Sequence, residues 1–219
     1  RSLIYFGYED DKRVLKGIDL VTHHINENQG VNCHDPIHIL LSDCQMALTK
    51  SLAMYTYLEK ESRDQEIKRA INVIIEKIIE NQVYRYVPTG AREYQKAIKG
   101  KKTAQIRQIK SQYLKQPKKL VKTEIKSSWK RFGFPHSYTS DALDTLYWLA
   151  MIGTPYRSEF DEALNWIIKH MDPSGWWINE NTFRNPLLVE IEPKKAPSKW
   201  LTYRACYVLK KFKGLNFQA

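Results

Sequence analysis

Cysteine is scarce: the 219 residues hold only Cys33, Cys44 and Cys206. Three dispersed thiols cannot build a disulfide framework, so reduced cysteines in a reducing, cytoplasmic compartment are expected. Long apolar runs are missing too. Nothing in the chain approaches the roughly 18–20 residues of a membrane-spanning helix, and no basic stretch followed by an apolar core opens it as a secretion signal would. The first residue is not methionine. "RSLIYFGY" begins within an apolar helical pattern, from which we expect the natural chain to continue upstream of Arg1. No convincing pair of strands is found. Zinc-finger spacing, an RNP-type aromatic motif and a phosphate-binding glycine loop are also missing, which leaves a dedicated nucleic-acid module unsupported.

Acids are in short supply in one place. Between residues 85 and 131 the sequence carries 15 Lys and Arg against two acids, Glu93 and Glu124, an excess larger than the net charge of +11 of the whole chain. Such a segment is either a solvated surface excursion or an electrostatic contact with an anionic surface or nucleic acid, with residues 92–131 supplying the cations. A short cationic helix is expected over about 103–115.

What is abundant is helical periodicity. Val14, Ile18, Val21 and Ile25 form one apolar stripe, Ile67, Ile71, Ile74 and Ile78 a second, and Leu164, Ile167, Ile168 and Met171 a third. Helices are expected at about 10–26, 43–58, 64–82, 138–152, 158–171 and 198–212, with a short helical piece before Gly7. An all-α chain of antiparallel hairpins follows. With 42% apolar residues it can bury a sizeable core.

A weak repeat underlies the helices. "GIDLVTHHI" at 17, "AINVIIEKI" at 70 and "ALNWIIKHM" at 163 share the order small, aliphatic, Asn or Asp, large apolar, aliphatic. Each follows a polar loop and a preceding apolar helix, and "WLTYRACYVLKKF" opens a fourth unit. The second interval is longer than the first by about 40 residues. The excess coincides with the basic segment, which we read as an insertion, 85–131, between repeats of one domain spanning 1–219.

"MDPSGWWINENTF" (171–183) raises a sharper question, because two adjacent tryptophans follow a Pro-Ser-Gly turn. Helix hairpins of about 50 residues ending in a turn such as "DPSGWW" resemble the α/α-toroid superfamily, which includes squalene and hopene cyclases and protein prenyltransferase β subunits. The closing run "APSKWLTYRACYVLKKF" is similar to the terminal inner helix of bacterial prenyltransferase-like repeat proteins. The resemblance covers nearly the whole chain outside the insertion. It implies about three and a half hairpins forming part of a toroid, with an apolar isoprenoid-type or other small ligand in a central cup and catalysis either retained or lost. It also implies that Trp176 or Trp177 stacks back on a hairpin; we expect both to be substantially buried. The turns at 26–32 and 80–85 lack the tryptophan.

Several residues are candidates for chemistry. Asp141 and Asp144 in "SDALDTL" are spaced i, i+3, so both can lie on one helical face and share Mg²⁺ or a proton; equally, Ser140 or Asp141 caps the helix and the acids stabilise its dipole. The clustered acid motif of true cyclases is absent, which argues against polyene protonation. His136 precedes that helix, either at a cavity mouth or as a loop hydrogen-bonder. Arg204 meets a phosphate in the cup or pairs with an acid such as Asp144. Tyr138, Tyr147, Trp148 and Tyr203 line an aromatic cup or fill the core. "NCHDPIHILLSDC" places Cys33, His34, Asp35, His38, Asp43 and Cys44 within a dozen residues. Thiolate and imidazole suit zinc, with Cys33, His34 and Cys44 as ligands, and zinc-dependent lanthionine cyclases, also toroids, carry an adjacent Cys-His pair. Buried thiols and loop-capping histidines are the other reading. Beside ligand binding stand two further functions: a non-catalytic repeat scaffold acting through its basic insertion, and a zinc-dependent modifying enzyme.

Overall fold

The computed structural model describes residues 1–31, 44–86, 96–115, 124–125, 127–136, 139–181 and 191–215. The chain is mostly helical. A short α1 (Ser2–Tyr5) precedes α2 (Lys12–Asn28), α3 (Gln45–Thr56) and α4 (Gln65–Glu80); α5 (Thr103–Lys115) lies in the basic segment, followed by α6 (Ala142–Ile152), α7 (Asp161–Lys169) and α8 (Lys199–Lys213).

Side-chain caps define four of these eight starts. Asp11 accepts from the Arg13 amide, Asp64 from Ile67, Asp141 from Asp144 and Ser198 from Leu201, each satisfying an N–H that has no partner within its helix. Left-handed residues end α2, α6 and α8, at Gln29, Gly153 and Gly214.

The helices form two layers. α3, α6 and α8 pack side by side in that order, while α2 packs on α4. α3 meets α4, α6 meets α7, and α4 also meets the 3₁₀ turn Ser158–Phe160 that leads into α7. The sequential pair α3–α4 packs extensively, whereas α6 and α7 touch only sparsely. Ile67, Ile71, Ile74 and Ile78 are buried in α4 as their spacing requires. In α7 the buried stripe is narrower than expected: Ala163, Leu164 and Ile167 are buried, but Ile168 and Met171 are exposed. α6 is the centre. Every residue from Ala142 to Ala150 is buried, because α3, α7 and α8 surround it.

Polar contacts stitch the layers. The Thr22 hydroxyl lies 2.8 Å from the Tyr55 hydroxyl, joining α2 to α3, and the Thr49 and Thr145 hydroxyls are 2.9 Å apart, joining α3 to α6.

The basic segment is pinched at its base by a strand pair that the sequence did not lead us to expect. β1 (Arg85–Tyr86) and β2 (Glu124–Ile125) are antiparallel, with Arg85 opposite Ile125. Beyond β2 the chain re-enters the core at Trp129 and Phe132, each 1% exposed. Trp129, near the end of the basic segment, is therefore part of the core.

The double-tryptophan turn is asymmetric. The Asp172 carboxylate accepts from the amides of Ser174 and Trp176, and Gly175 takes the positive φ of 83° that closes the turn. Trp177 is fully buried. Its Nε1 donates to the Ile167 carbonyl at 2.7 Å, its amide donates to the Thr202 hydroxyl, and its carbonyl accepts from the Ser198 amide. One residue thereby ties the end of α7 to the start of α8. Trp176 is 44% exposed, contrary to the expectation that both rings are buried.

Candidate functional site

Two carboxylates in the first turn of α6 organise the most charged region of the interior. Asp141, the cap, directs Oδ1 to the Asp144 amide at 2.8 Å and Oδ2 to the Gly133 amide at 3.0 Å. His136 Nε2 is 3.0 Å from the same Oδ2, off the line of a ring N–H hydrogen bond. The strand of chain carrying Gly133 is clamped on both sides. Phe134 and Asn179 exchange two hydrogen bonds, and a Cβ at Gly133 would lie 1.8 Å from the Asn181 carbonyl oxygen, so only glycine fits there.

Asp144 lies one turn further on and faces different donors. Its Oδ1 accepts from Trp148 Nε1 and from Arg204, both at 2.9 Å, and its Oδ2 accepts from Lys50 Nζ at 3.3 Å. Lys50 comes from α3 and Arg204 from α8, so each of the three side-by-side helices supplies one member. Asp144 is 1% exposed.

Burial alone would raise the pKa of Asp144, but the charges of His136, Lys50 and Arg204 outweigh it and bring the value down to about 2. Burial likewise opposes the charged form of His136, yet Asp141 and Asp144 beside it raise its pKa. The two groups have opposite pH linkage. Asp144 stabilises the fold fully above its unfolded value of about 4, and that contribution is lost as pH falls towards 2. His136 stabilises fully below its unfolded value of about 6.5, and its contribution is lost as pH rises through the folded value. Urea unfolding is expected to show this cluster contributing most between about pH 4 and 6.5. His136→Gln should flatten the decline above that window; an identical decline in the variant would contradict the assignment.

Around the charged groups runs a chain of aromatic contacts. It passes from Phe6 to Tyr5, Tyr57, Trp148 and Tyr147, then to Tyr203 and Tyr207, with centroid separations of 5.0–6.4 Å. The Arg204 guanidinium sits 4.8 Å from the Tyr147 ring centroid, 5.7 Å from Trp148 and 5.4 Å from Phe134, which stacks on Trp200. Arg1 lies 5.6 Å from the Trp148 centroid. The run goes from interior to surface: Trp148 is 2% exposed, Tyr203 54% and Tyr5 66%.

The structure thus brings together His136, Asp141, Asp144, Trp148, Tyr203 and Arg204 from the residues singled out in the sequence, and it adds Lys50, Tyr57, Phe134 and Trp200. Lys50 left a trace, being the one charged residue in α3, "QMALTKSLAMYT". The two aspartates engage separate donors and share none. Cys33, His34 and Tyr138 lie outside the described residues. Cys44 precedes α3, half-buried and free, with its amide donating to Val31, and among the described residues no three His, Cys, Asp or Glu side chains are grouped to hold a metal. A groove of about 560 Å³ lies apart from this region, along Lys68, Asn72, Glu76 and Glu80 of α4. Among the described residues no helix is long and apolar enough to cross a membrane. Comparison with protein-family models, curated proteins and solved structures gives no significant match.

Proposed function

We propose that the chain is a helical-hairpin domain, an arc of an α/α toroid, that binds an apolar isoprenoid-type ligand along its aromatic run and does not transform it. The observation that carries this reading is the unbroken chain of rings from exposed Tyr5 and Tyr203 to buried Trp148. The exposed rings of the run, Tyr5 and Tyr203, take hydrocarbon by removing apolar area from water, at about 25 cal/mol per Å². The tyrosine hydroxyls along the run leave a polar rim for a head group.

Binding without turnover follows from the charges. A carboxylic acid that protonates an alkene must hold its proton at neutral pH, and Asp144, brought down to about 2, is a carboxylate there, while the proton that the neighbouring carboxylates favour on His136 is held beside Asp141 at 3.0 Å. Both of its oxygens already meet cations, so a divalent ion would have to displace Arg204 or Lys50. Arg1 and Arg204 also occupy ring faces that a carbocation would need.

Tryptophan fluorescence of the protein titrated with farnesol tests the reading. Saturable quenching is expected, unchanged by a chelator. Tyr203→Ala and Trp200→Ala should each weaken binding about tenfold, about 1.4 kcal/mol. Absence of saturation, or binding by both variants as tight as the parent's, would remove the aromatic run as the site.

A further inference from the structure

We infer that the basic segment around α5 is a docking surface for B-form duplex DNA, held by its phosphates. Residues 96–115 contain seven Lys and Arg and no acid. Lys96, Lys99, Lys101, Lys102 and Arg107 are all exposed, and none pairs with a carboxylate among the described residues. By contrast, Lys50, Arg85 and Arg204 each face a carboxylate. Five uncompensated charges clustered on one short segment repel one another, and a polyanion relieves that repulsion while releasing its own counterions.

The shape of the segment selects the polyanion. α5 spans 13 residues, about 20 Å of helix, with a diameter of about 10–12 Å that matches the major groove of B-form DNA and not the deep, narrow one of A-form RNA. Thr103, Gln105, Gln108, Ser111 and Gln112 are exposed, a set of side chains that hydrogen-bond phosphate and base edges. Residues 96–115 contain one aromatic residue, Tyr113, too few to form the successive stacking platforms that single-strand binders use. A bilayer would need apolar side chains displayed on the helix, but Ile106 and Ile109 are half-buried.

Fluorescence anisotropy of the full chain with a labelled 20-base-pair DNA duplex is the test. Five phosphate contacts predict an affinity that falls about 500-fold between 50 and 200 mM salt. Lys101→Glu/Lys102→Glu/Arg107→Glu should reduce binding at least about 100-fold, by losing three contacts and adding three repulsive charges, with an unchanged circular dichroism spectrum. A Lys101→Arg/Lys102→Arg variant should bind as the parent does. No duplex binding, salt-insensitive binding, full binding by the glutamate variant, or tighter binding to single-stranded RNA or to phosphatidylserine vesicles would each overturn the inference.

Discussion

Trp177→Ala is expected to lower the unfolding free energy by about 3–5 kcal/mol, the range for deleting a large core aromatic, while Trp176→Ala costs less than about 1 kcal/mol. The neighbours differ because of what each ring meets. Trp177 is fully buried and its indole N–H caps the Ile167 carbonyl, so truncation leaves both a cavity and an orphaned acceptor at the end of α7. Trp176 is 44% exposed and, among the described residues, makes only backbone bonds across the turn, through groups that alanine retains. Urea melts of the two variants decide it. Equal destabilisation would mean that the turn does not lock α7 to α8 through Trp177.

Asp144→Asn is expected to cost about 3 kcal/mol, the low end for breaking a buried ion pair. The amide keeps an oxygen for Trp148 but leaves Arg204 and Lys50 facing a neutral group. Their side chains are 14% and 27% exposed, so both relax partly towards water, which holds the cost down. Adding Arg204→Met to Asp144→Asn should restore part of the loss, because one uncompensated cation is gone. Additive single-variant effects in that double-mutant cycle would show that Asp144 and Arg204 are not coupled.

Much of the helical framework was legible because it is local. The isoleucine stripe of α4 and the Asp141 cap of α6 each act within a turn or two of their own position, so spacing alone reveals them. The limits expected for the cationic helix coincide with α5, Thr103–Lys115. The misreadings are long-range. Neighbouring tryptophans look alike in sequence, and only the return of α8 decides which is covered. The β1–β2 ladder is two residues per strand, too short to leave an alternation. In the candidate site, pairing of Arg204 with Asp144 was one of two readings, since each is a charge on an apolar helix. Lys50 was missed because its partner lies 94 positions away, although an isolated lysine among apolar residues on α3 calls for an acid somewhere.

Mass spectrometry of the ligand recovered from the protein tests the central claim most directly. The full chain would be incubated with a slight excess of farnesol at neutral pH, freed of unbound ligand by gel filtration, and extracted. The account predicts one molecule per chain, chemically unchanged, because the aromatic run holds it while Asp144 remains an ion-paired carboxylate. A cyclised, dehydrated or hydrated product would contradict the claim that the site binds without chemistry, and a protein fraction free of farnesol would contradict the claim that it binds at all.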